Sequence, residues 1–342
     1  MNGKEIMALL SKGIVPPRVP FAPTVYEHGA RILNITPSRL ARDAELLCKS
    51  QLAAYEMYRH DIVTVGADIY NIEAEALGSR VIYYEDNTIP SIEQILIEEP
   101  SDLENLHMPD PYKDGRMPLV LEACKEINSK IGCEVPVSSA IVGPFTLAAI
   151  LRGYENFLMD LINEEEFAKK QLKFASGTGL RYAKALIDNG IGVSVNESWI
   201  APPLLSPSIF KDIVFDFEKA FISQIKALGI PNVALISGGN TTPIAEYLVK
   251  TGTSLLMADS CTDQKAYKAL CDRWEINLRA SISPVKVEQG DEAEMYNAAR
   301  HVIENCSHNG RFIFGCGVVS IDTDPKNIIK LKTIVDKLNP YS

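Results

Sequence analysis

Several features that would point to particular classes of protein are missing from this chain of 342 residues. Positive charge is scarce, because 34 Lys and Arg stand against 44 Asp and Glu and give a net charge of -10. Nucleic acids and anionic membrane surfaces attract basic proteins, so we expect neither as a partner. The longest apolar stretch, residues 137–151, is interrupted by Ser, Gly and Pro and is too short to cross a bilayer.

Paired cysteines and a secretion signal are also absent. The 7 cysteines are scattered and form no Cys-x-x-Cys pair. This odd number fits reduced thiols better than a disulfide framework. The first 15 residues contain no long apolar core and no small-residue cleavage site, so no signal peptide is predicted. Together these features favour a cytoplasmic protein.

The common catalytic and nucleotide-binding motifs are missing too. The sequence contains no GxGxxG, no P-loop, no HExxH and no GxSxG. The stretch Ser237–Asn240 has too few glycines in the right context to be a dinucleotide fingerprint. The function must therefore be inferred from the fold and from residues brought together by it.

Short apolar runs alternate with longer stretches of helical period along the chain. The runs do not alternate apolar with polar residues, which predicts strands buried on both faces of a parallel sheet. About eight strand–helix units favour an α/β fold of the closed (β/α)₈ TIM-barrel type, with a doubly wound open sheet as the alternative. The predicted strands are residues 19–25, 61–68, 135–143, 191–199, 232–239, 254–261, 276–284 and 311–318.

The chain is predicted to be one domain over residues 1–342, with an N-terminal extension. No Gly-, Ser- or Pro-rich linker divides it. A long, acidic, turn-rich segment near 79–117 is interpreted as an insertion that helps to cover the barrel mouth. Long helices are predicted at 37–60, 165–190 and 207–229.

Polar residues cluster where the predicted strands end, which is where TIM barrels carry their chemistry. The stretch VALISGGNTT shows this most clearly, since an apolar run stops at small polar residues that allow close approach to the backbone. A single Asp or Asn in such a place can equally cap a helix, and a lone Cys is often a small buried hydrophobe. The strand-end candidates are Tyr26, His28, Asp68, Tyr70, Asn196, Glu197, Trp199, Ser237, Gly238, Gly239, Asn240, Asp259, Cys261 and Cys316.

Several stretches around these residues resemble the uroporphyrinogen decarboxylase superfamily. The resemblance extends over nearly the whole chain and is strongest to the branch of cobalamin-dependent methyltransferases, typified by methylcobalamin:coenzyme M methyltransferase. It implies a (β/α)₈ barrel with the site at the carboxyl ends of the strands. The similar stretches are residues 65–78, 141–153, 201–214, the region around ISGGN, and 314–328.

One departure from the family concerns the decarboxylases. Those members carry an arginine-rich N-terminal segment that grips the carboxylates of the substrate. The corresponding region here, PPRVPFAPTVYEHGARIL, has few basic residues. Asp68 matches the central aspartate of the decarboxylases, but one aspartate does not neutralise an acid-rich tetrapyrrole. Porphyrinogen decarboxylation is therefore not expected.

A second departure concerns zinc. Thiol-methylating members have a His-x-Cys-Gly stretch and a cysteine in the last strand, and these bind zinc that holds the thiolate acceptor. The first two positions here are Leu235 and Ser237, and only Cys316 remains. Leucine cannot bind a metal and neutral serine is a poor zinc ligand. A bound metal would therefore need other ligands. The sequence leaves the choice open among Glu197, Asp259, Cys261, Cys316 and His28.

The resemblance also extends to methyltransferases that demethylate a donor and pass the methyl group to cob(I)alamin on a separate corrinoid protein. A small donor is expected, with a methoxylated aromatic as the best candidate. Two alternative functions remain: a thiol methyltransferase with unusual metal ligands, and a non-catalytic paralogue. The sequence does not indicate an oligomeric state. The predicted catalytic residues are Asp68, Asn196 and Glu197, and the predicted substrate-binding residues are Tyr26, Tyr70, Trp199, Ser237, Gly238, Gly239 and Asn240.

Overall fold

A computed structural model describes residues 1–341 of the chain. Its main element is a sheet of seven parallel strands, in the spatial order β1-β4-β5-β6-β7-β8-β9. A short antiparallel ribbon of β2 and β3 lies apart from this sheet. The strands are β1 (Val63–Val65), β2 (Val81–Ile82), β3 (Ser91–Ile92), β4 (Val137–Val142), β5 (Gly192–Asn196), β6 (Ala234–Ile236), β7 (Leu255–Ala258), β8 (Asn277–Ser281) and β9 (Phe312–Gly315).

The sheet curves into a partial barrel, and residues 20–24 occupy the seam between its two edges. On one side the Ala22 N–H donates to the Phe314 carbonyl at 2.8 Å, and Thr24 forms an isolated bridge with Val318. On the other side the Asp61 N–H donates to the Phe21 carbonyl at 2.8 Å. The prediction of a regular strand at 19–25 was wrong, because Pro20 and Pro23 have no N–H for a strand ladder.

Helices surround the sheet in the order expected for strand–helix units. Most are amphipathic and pack their apolar face on the strands. Within the described residues they are α1 (Gly3–Ser11), α2 (His28–Leu33), α3 (Pro37–Leu40), α4 (Ala44–Tyr58), α5 (Ile72–Ala76), α6 (Pro100–Asn105), α7 (Met117–Ile131), α8 (Pro144–Arg152), α9 (Tyr154–Asn163), α10 (Glu165–Asp188), α11 (Pro207–Ile209), α12 (Phe215–Ala227), α13 (Ala245–Leu248), α14 (Gln264–Arg273), α15 (Pro284–Gln289), α16 (Glu292–Cys306) and α17 (Pro325–Lys337).

Two of the predicted long helices are interrupted. The prediction over 37–60 becomes α3 and α4, because the Asp43 side chain accepts a hydrogen bond from the Leu46 N–H at 3.0 Å and starts a new helix there. The prediction over 207–229 contains a π-helical turn, Phe210–Val214, between α11 and α12. The helix predicted over 165–190 is confirmed as α10.

Burial agrees with the apolar character of the strands. All residues of β7, β8 and β9 are buried, as a sheet covered on both faces requires. No helix among residues 1–341 is long and apolar enough to span a membrane. The segment between α5 and α7, which includes β2, β3 and α6, extends over the carboxyl ends of the first strands.

Candidate active site

A cavity of about 500 Å³ opens at the carboxyl ends of the strands. The loops after the seam segment and after β1 form its floor, and residues 89–95 of the insertion form one side. The helix α8 and the loop after β5 close the opposite side. Its lining is mostly apolar and aromatic, with Tyr26, Ile69, Tyr70, Ile92, Ile150, Tyr154 and Trp199 among the wall residues.

The aromatic walls are held by hydrogen bonds and ring contacts. Tyr26 is 4% exposed, and the Asn196 amide lies 3.5 Å from its hydroxyl. The hydroxyl of Tyr70 shares a short hydrogen bond with Ser198. Tyr154 meets Trp199 edge to face with ring centroids 5.6 Å apart. These contacts fix a slot with flat walls, which suits a planar ligand.

Asp68 borders the cavity, but its carboxylate is fully engaged. Arg116, at the end of the insertion, donates to both Asp68 oxygens at 2.7 Å and reaches Glu75 at 2.5 Å. Asn71 adds a hydrogen bond to Asp68 at 3.0 Å. Such a bidentate, buried pair holds its geometry firmly. Asp68 thus anchors the insertion over the mouth.

Glu27 is the carboxyl group in this cavity that lacks a side-chain partner among residues 1–341. It lines the cavity, is 8% exposed, and follows Tyr26 at the start of α2. Burial raises the pKa of Glu27 to about 7, and the negative charge of Asp68 adds to the shift. A carboxyl group with this pKa can donate or accept a proton near neutral pH. Glu27 was not among the predicted site residues; its position between Tyr26 and His28, both of them predicted, was the signal that could have identified it.

His28 lies away from this cavity, although it is next in the chain. It is fully buried, with Nε2 2.8 Å from the Tyr58 hydroxyl and Nδ1 3.0 Å from the Ser320 carbonyl. Burial lowers its pKa to about 4, so the ring is neutral at physiological pH. Both ring nitrogens are occupied within the fold.

Glu197 is also fully buried, at the start of α8 rather than in the cavity. It accepts hydrogen bonds from the Phe145 N–H at 2.6 Å and the Thr146 N–H at 2.9 Å. A carboxylate at a helix N-terminus is stabilised by the unpaired N–H groups there. The neighbouring Glu218 has a pKa well above its usual range because of burial and the charge of Glu197.

The stretch that follows β6 does not line the cavity. Ser237 is buried, Asn240 is exposed, and the Gly239 N–H donates to Asp259 at 2.9 Å. Gly239 has φ of +79°, and a Cβ there would lie 3.1 Å from the Ala201 Cβ. The Gly238–Gly239 pair therefore lets the backbone approach Asp259 and Ala201. Cys261, beyond Asp259, is exposed.

The four predicted metal ligands, Cys316, Cys261, Asp259 and His28, are not brought together. Residues 1–341 contain no group of three or more His, Cys, Asp or Glu side chains arranged to hold a metal ion. Leu235 is completely buried in β6, two residues before Ser237. Cys316 is completely buried, and burial raises its pKa to about 12, which keeps it a thiol.

Comparison with known proteins gives consistent family matches. The profile described as Uroporphyrinogen decarboxylase (URO-D) matches residues 2–338. The chain is 27% identical over 292 residues to Methylcobamide:CoM methyltransferase MtbA of Methanosarcina acetivorans, covering 84% of this chain and 83% of that protein. It is 22% identical over 315 residues to Uroporphyrinogen decarboxylase of Tolumonas auensis, covering 89% and 85% of the two chains.

Among solved structures, a methyltransferase from Methanosarcina mazei superposes with a TM-score of 0.87 at 23% identity. The match covers 98% of this chain and 99% of that chain. At this level of identity the match shows that the two chains have the same fold.

Proposed function

The chain belongs to the uroporphyrinogen decarboxylase family, and from this premise we propose that it is a corrinoid-dependent methyltransferase. Its similarity to a methylcobamide:CoM methyltransferase over 84% of the chain supports this class of reaction. The low count of basic residues near the seam argues against a porphyrinogen substrate. We place the reaction in the cavity at the carboxyl ends of the strands, as in other barrels.

The proposed methyl donor is a methoxylated aromatic compound. The cavity is about 500 Å³ in volume and walled by Tyr26, Tyr70 and Trp199, which suits one aromatic ring with small substituents. The observation that carries this proposal is Glu27, an otherwise unpartnered carboxyl group inside that slot with a pKa of about 7. A phenyl methyl ether has a poor leaving group, and a proton donor in the wall meets this need.

The corrinoid, carried by a partner protein, would supply the cobalt that accepts the methyl group. As the bond between methyl carbon and ether oxygen breaks, its electron pair stays on the oxygen. Glu27 gives its proton to that oxygen, so that a neutral phenol leaves and Glu27 becomes a carboxylate. Tyr26, Tyr70 and Trp199 hold the ring, and Asn196 positions Tyr26.

The residues at the mouth fit a docked corrinoid, whereas the predicted zinc ligands do not fit zinc. Ile89 and Val318, 41% and 44% exposed, form an apolar rim beside the cavity opening. Exposed apolar groups at a cavity rim favour contact with a partner surface. At the zinc position of the family, Leu235 and Ser237 cannot replace imidazole and thiolate. No step of the proposed mechanism therefore passes through zinc.

The test is single-turnover demethylation of 4-methoxybenzoate with free cob(I)alamin as the methyl acceptor. We expect loss of the cob(I)alamin spectrum together with release of one phenol per methyl group. Benzoate, which has no methoxy group, is the matched negative control. If cob(I)alamin is unchanged by a panel of methoxylated aromatics, while methylcobalamin is consumed in the presence of thiols, the proposed direction of transfer is wrong.

A second candidate is methyl transfer from methylcobalamin to a thiol, favoured by the named activity of the relatives. Metal analysis of the purified protein beside Cys316→Ser tests it. About one zinc per chain, lost in the variant, with thiol-dependent turnover would support this candidate and would require ligands other than His-x-Cys. If neither assay detects methyl transfer, the protein is better described as a binding paralogue.

A further inference from the structure

The cavity that contains Glu27 is lined by acidic side chains and by no basic one. Its charged residues are Glu27, Asp68 and Glu93, and among residues 1–341 no Lys, Arg or His lines it. Asp68 is buried and paired with Arg116, and exposed Glu93 is paired with Arg80. Glu27, which is 8% exposed, is the member whose carboxyl group is left for a ligand.

The arginines behind the cavity walls do not supply a free positive charge. Arg116 contacts Asp68 at 2.7 Å and Glu75 at 2.5 Å, so two carboxylates share one guanidinium group. Arg279 lies below the cavity floor, where the negative charge of Asp259 acts on it. Both cations are therefore balanced by carboxylates of the chain. An anionic ligand would find no partner in this cavity, whereas a cationic ligand would find one.

Aromatic rings form a continuous wall beside Glu27. Burial, and to a smaller extent the charge of Glu27, raises the pKa of both Tyr26 and Tyr70. The Tyr70 hydroxyl forms a short hydrogen bond with the residue before Trp199, and Trp199 meets Tyr154 with ring centroids 5.6 Å apart. All four rings line the cavity. The faces of such rings attract cations, and clusters of them are the usual binding site of quaternary ammonium groups.

A quaternary ammonium group fits these walls better than other cations do. Metal ions and protonated amines need several oxygen acceptors when they are taken out of water. The cavity instead combines one free carboxyl group with apolar walls that include Ile69, Ile92 and Ile150. A quaternary ammonium group carries its charge inside a shell of methyl groups and has no N–H to satisfy. Rings and a single carboxylate are therefore sufficient partners for it.

We propose that this cavity binds a quaternary methylammonium compound, with the aromatic rings around its N-methyl groups and the Glu27 carboxylate as its counter-ion. Such a compound is then a second class of methyl donor beside the methyl ethers. As its carbon–nitrogen bond breaks, the electron pair stays on nitrogen and a neutral tertiary amine leaves, while the methyl carbon receives a new pair from cob(I)alamin. No proton is required. The donor role rests on the proposed methyl transfer, whereas the binding does not.

The two classes of donor need opposite protonation states of Glu27. Burial raises the pKa of Glu27 to about 7, and the charge of Asp68 adds to the shift. Among the other groups that face Glu27, Asp68 is held by Arg116, and Tyr26 and Tyr70 stay neutral because burial raises their pKa. Binding of a quaternary ammonium compound should therefore strengthen as pH rises through 7. Ether demethylation should weaken over the same interval.

Isothermal titration calorimetry with choline chloride on the full chain, at constant ionic strength, tests the proposal. The neutral isostere 3,3-dimethylbutan-1-ol, in which carbon replaces the charged nitrogen, is the matched ligand. At pH 8 we expect one saturable choline site per chain, with about tenfold tighter binding than the isostere. At pH 6 choline should bind more weakly, and its binding should release protons, whereas the isostere should behave alike at both values.

Three variants separate the contributions of charge and aromatic rings. Glu27→Gln keeps the shape of the side chain and should weaken choline binding at pH 8 by about tenfold, with no effect on the isostere. Glu104→Gln removes an exposed carboxylate outside the cavity and is the control, so it should bind choline as the parent does. Trp199→Leu keeps an apolar wall and should weaken choline binding by several-fold. It also serves as a second test should Glu27→Gln fail to fold.

The donor role is tested by incubating the protein with choline and cob(I)alamin. We expect loss of the cob(I)alamin spectrum and one dimethylaminoethanol per methyl group, faster at pH 8 than at pH 6. Bound choline without this product would overturn the donor role. Equal affinity for choline and its isostere, or unchanged choline binding by both Glu27→Gln and Trp199→Leu, would overturn the whole proposal. Calorimetry uses neither a corrinoid nor an ether, so its outcome is independent of whether ether demethylation occurs.

Discussion

The two halves of the barrel mouth are built from similar strand-end residues but differ in what they enclose. One half, which we call the cavity half, consists of the strand ends of the seam, β1, β4 and β5 with the insertion above them. The other, which we call the closed half, consists of the strand ends of β6 and β7 and contains Gly239, Asn240, Asp259 and Cys261. The cavity half holds an open slot, whereas polar groups in the closed half are paired with the local backbone or exposed.

The difference shows that polar residues at strand ends line a cavity only where another segment, here the insertion, holds that cavity open above them. In the cavity half, Arg116 ties the insertion to Asp68, and residues 89–95 stand over the slot. In the closed half, the Gly239 N–H and Asp259 bind each other directly. The same residue types thus line an open cavity in one half and stabilise the backbone of the loops in the other.

Removal of the Arg116 tether should have the largest effect. Arg116→Leu leaves Asp68 and Glu75 buried without their cation, and loss of one partner of a buried pair costs about 3–5 kcal/mol. Urea denaturation should show this loss in the free energy of unfolding. Arg273→Leu, which removes a 3.9 Å exposed pair with Glu246, is the control and should change stability by less than about 0.5 kcal/mol. A loss below about 1 kcal/mol for Arg116→Leu would mean that the tether does not hold the cavity half together.

Removal of the proton donor should have the next largest effect. Glu27→Gln keeps the shape of the side chain, and we expect kcat for demethylation to fall about 100-fold, as for loss of a general acid. With the pKa of Glu27 at about 7, activity of the parent should decrease as pH rises through 7, because the donor loses its proton. The variant should lack this decrease. A parent-like pH profile in the variant would remove Glu27 from the mechanism.

A buried carboxyl group next to the cavity half should affect stability in a pH-dependent way. Glu73 in α5 accepts from the Val142 N–H at 2.7 Å, its second oxygen has no partner, and burial raises its pKa to about 7. Its folded pKa exceeds its unfolded pKa, so stability is lost as pH rises from about 4.5 to 7. Glu73→Gln should therefore be more stable than the parent by about 3 kcal/mol at pH 8 and equal to it near pH 4, because one pKa unit corresponds to about 1.4 kcal/mol. Parallel pH–stability curves for the two proteins would contradict this assignment.

A change in the closed half should have the smallest effect. Asn240 is exposed and outside the slot, although the sequence predicts that it binds substrate. Asn240→Ala should change the KM for a methoxylated aromatic by less than about twofold, because a side chain outside the slot contributes no binding energy to a ligand inside it. Trp199→Ala, in the cavity half, provides the comparison and should raise KM. A rise in KM for Asn240→Ala that equals the rise for Trp199→Ala would extend the site to both halves.

Local sequence pattern was sufficient for most of the fold. Seven of the predicted strands are confirmed within a few residues, because unbroken apolar runs such as 254–261 need burial on both faces. The seam segment was not a regular strand, because Pro20 and Pro23 remove the donors that a ladder requires. The break near Asp43 was missed because a helix cap can stand inside an otherwise helical pattern.

The site was less predictable, because it depends on contacts between distant residues. The pairing of Asp68 with Arg116 joins positions 48 residues apart, and no local pattern shows it. Glu27 and His28 are adjacent in sequence, yet one lines the cavity and the other is packed against Tyr58. The roles of Asp68, Asn196 and Glu197 in catalysis stay predictions, although the structure shows each as a support for a neighbouring group.

The seam has a consequence for the order in which the protein is made. Residues 20–24 are synthesised almost 300 residues before their partners Phe314 and Val318. Contacts so distant in sequence form slowly, and exposed strand edges favour aggregation until they do. During synthesis the side of the seam segment that faces β9, and the edge of each newly made strand, must therefore stay unpaired, and the nascent chain is most in need of a chaperone just before β9 emerges.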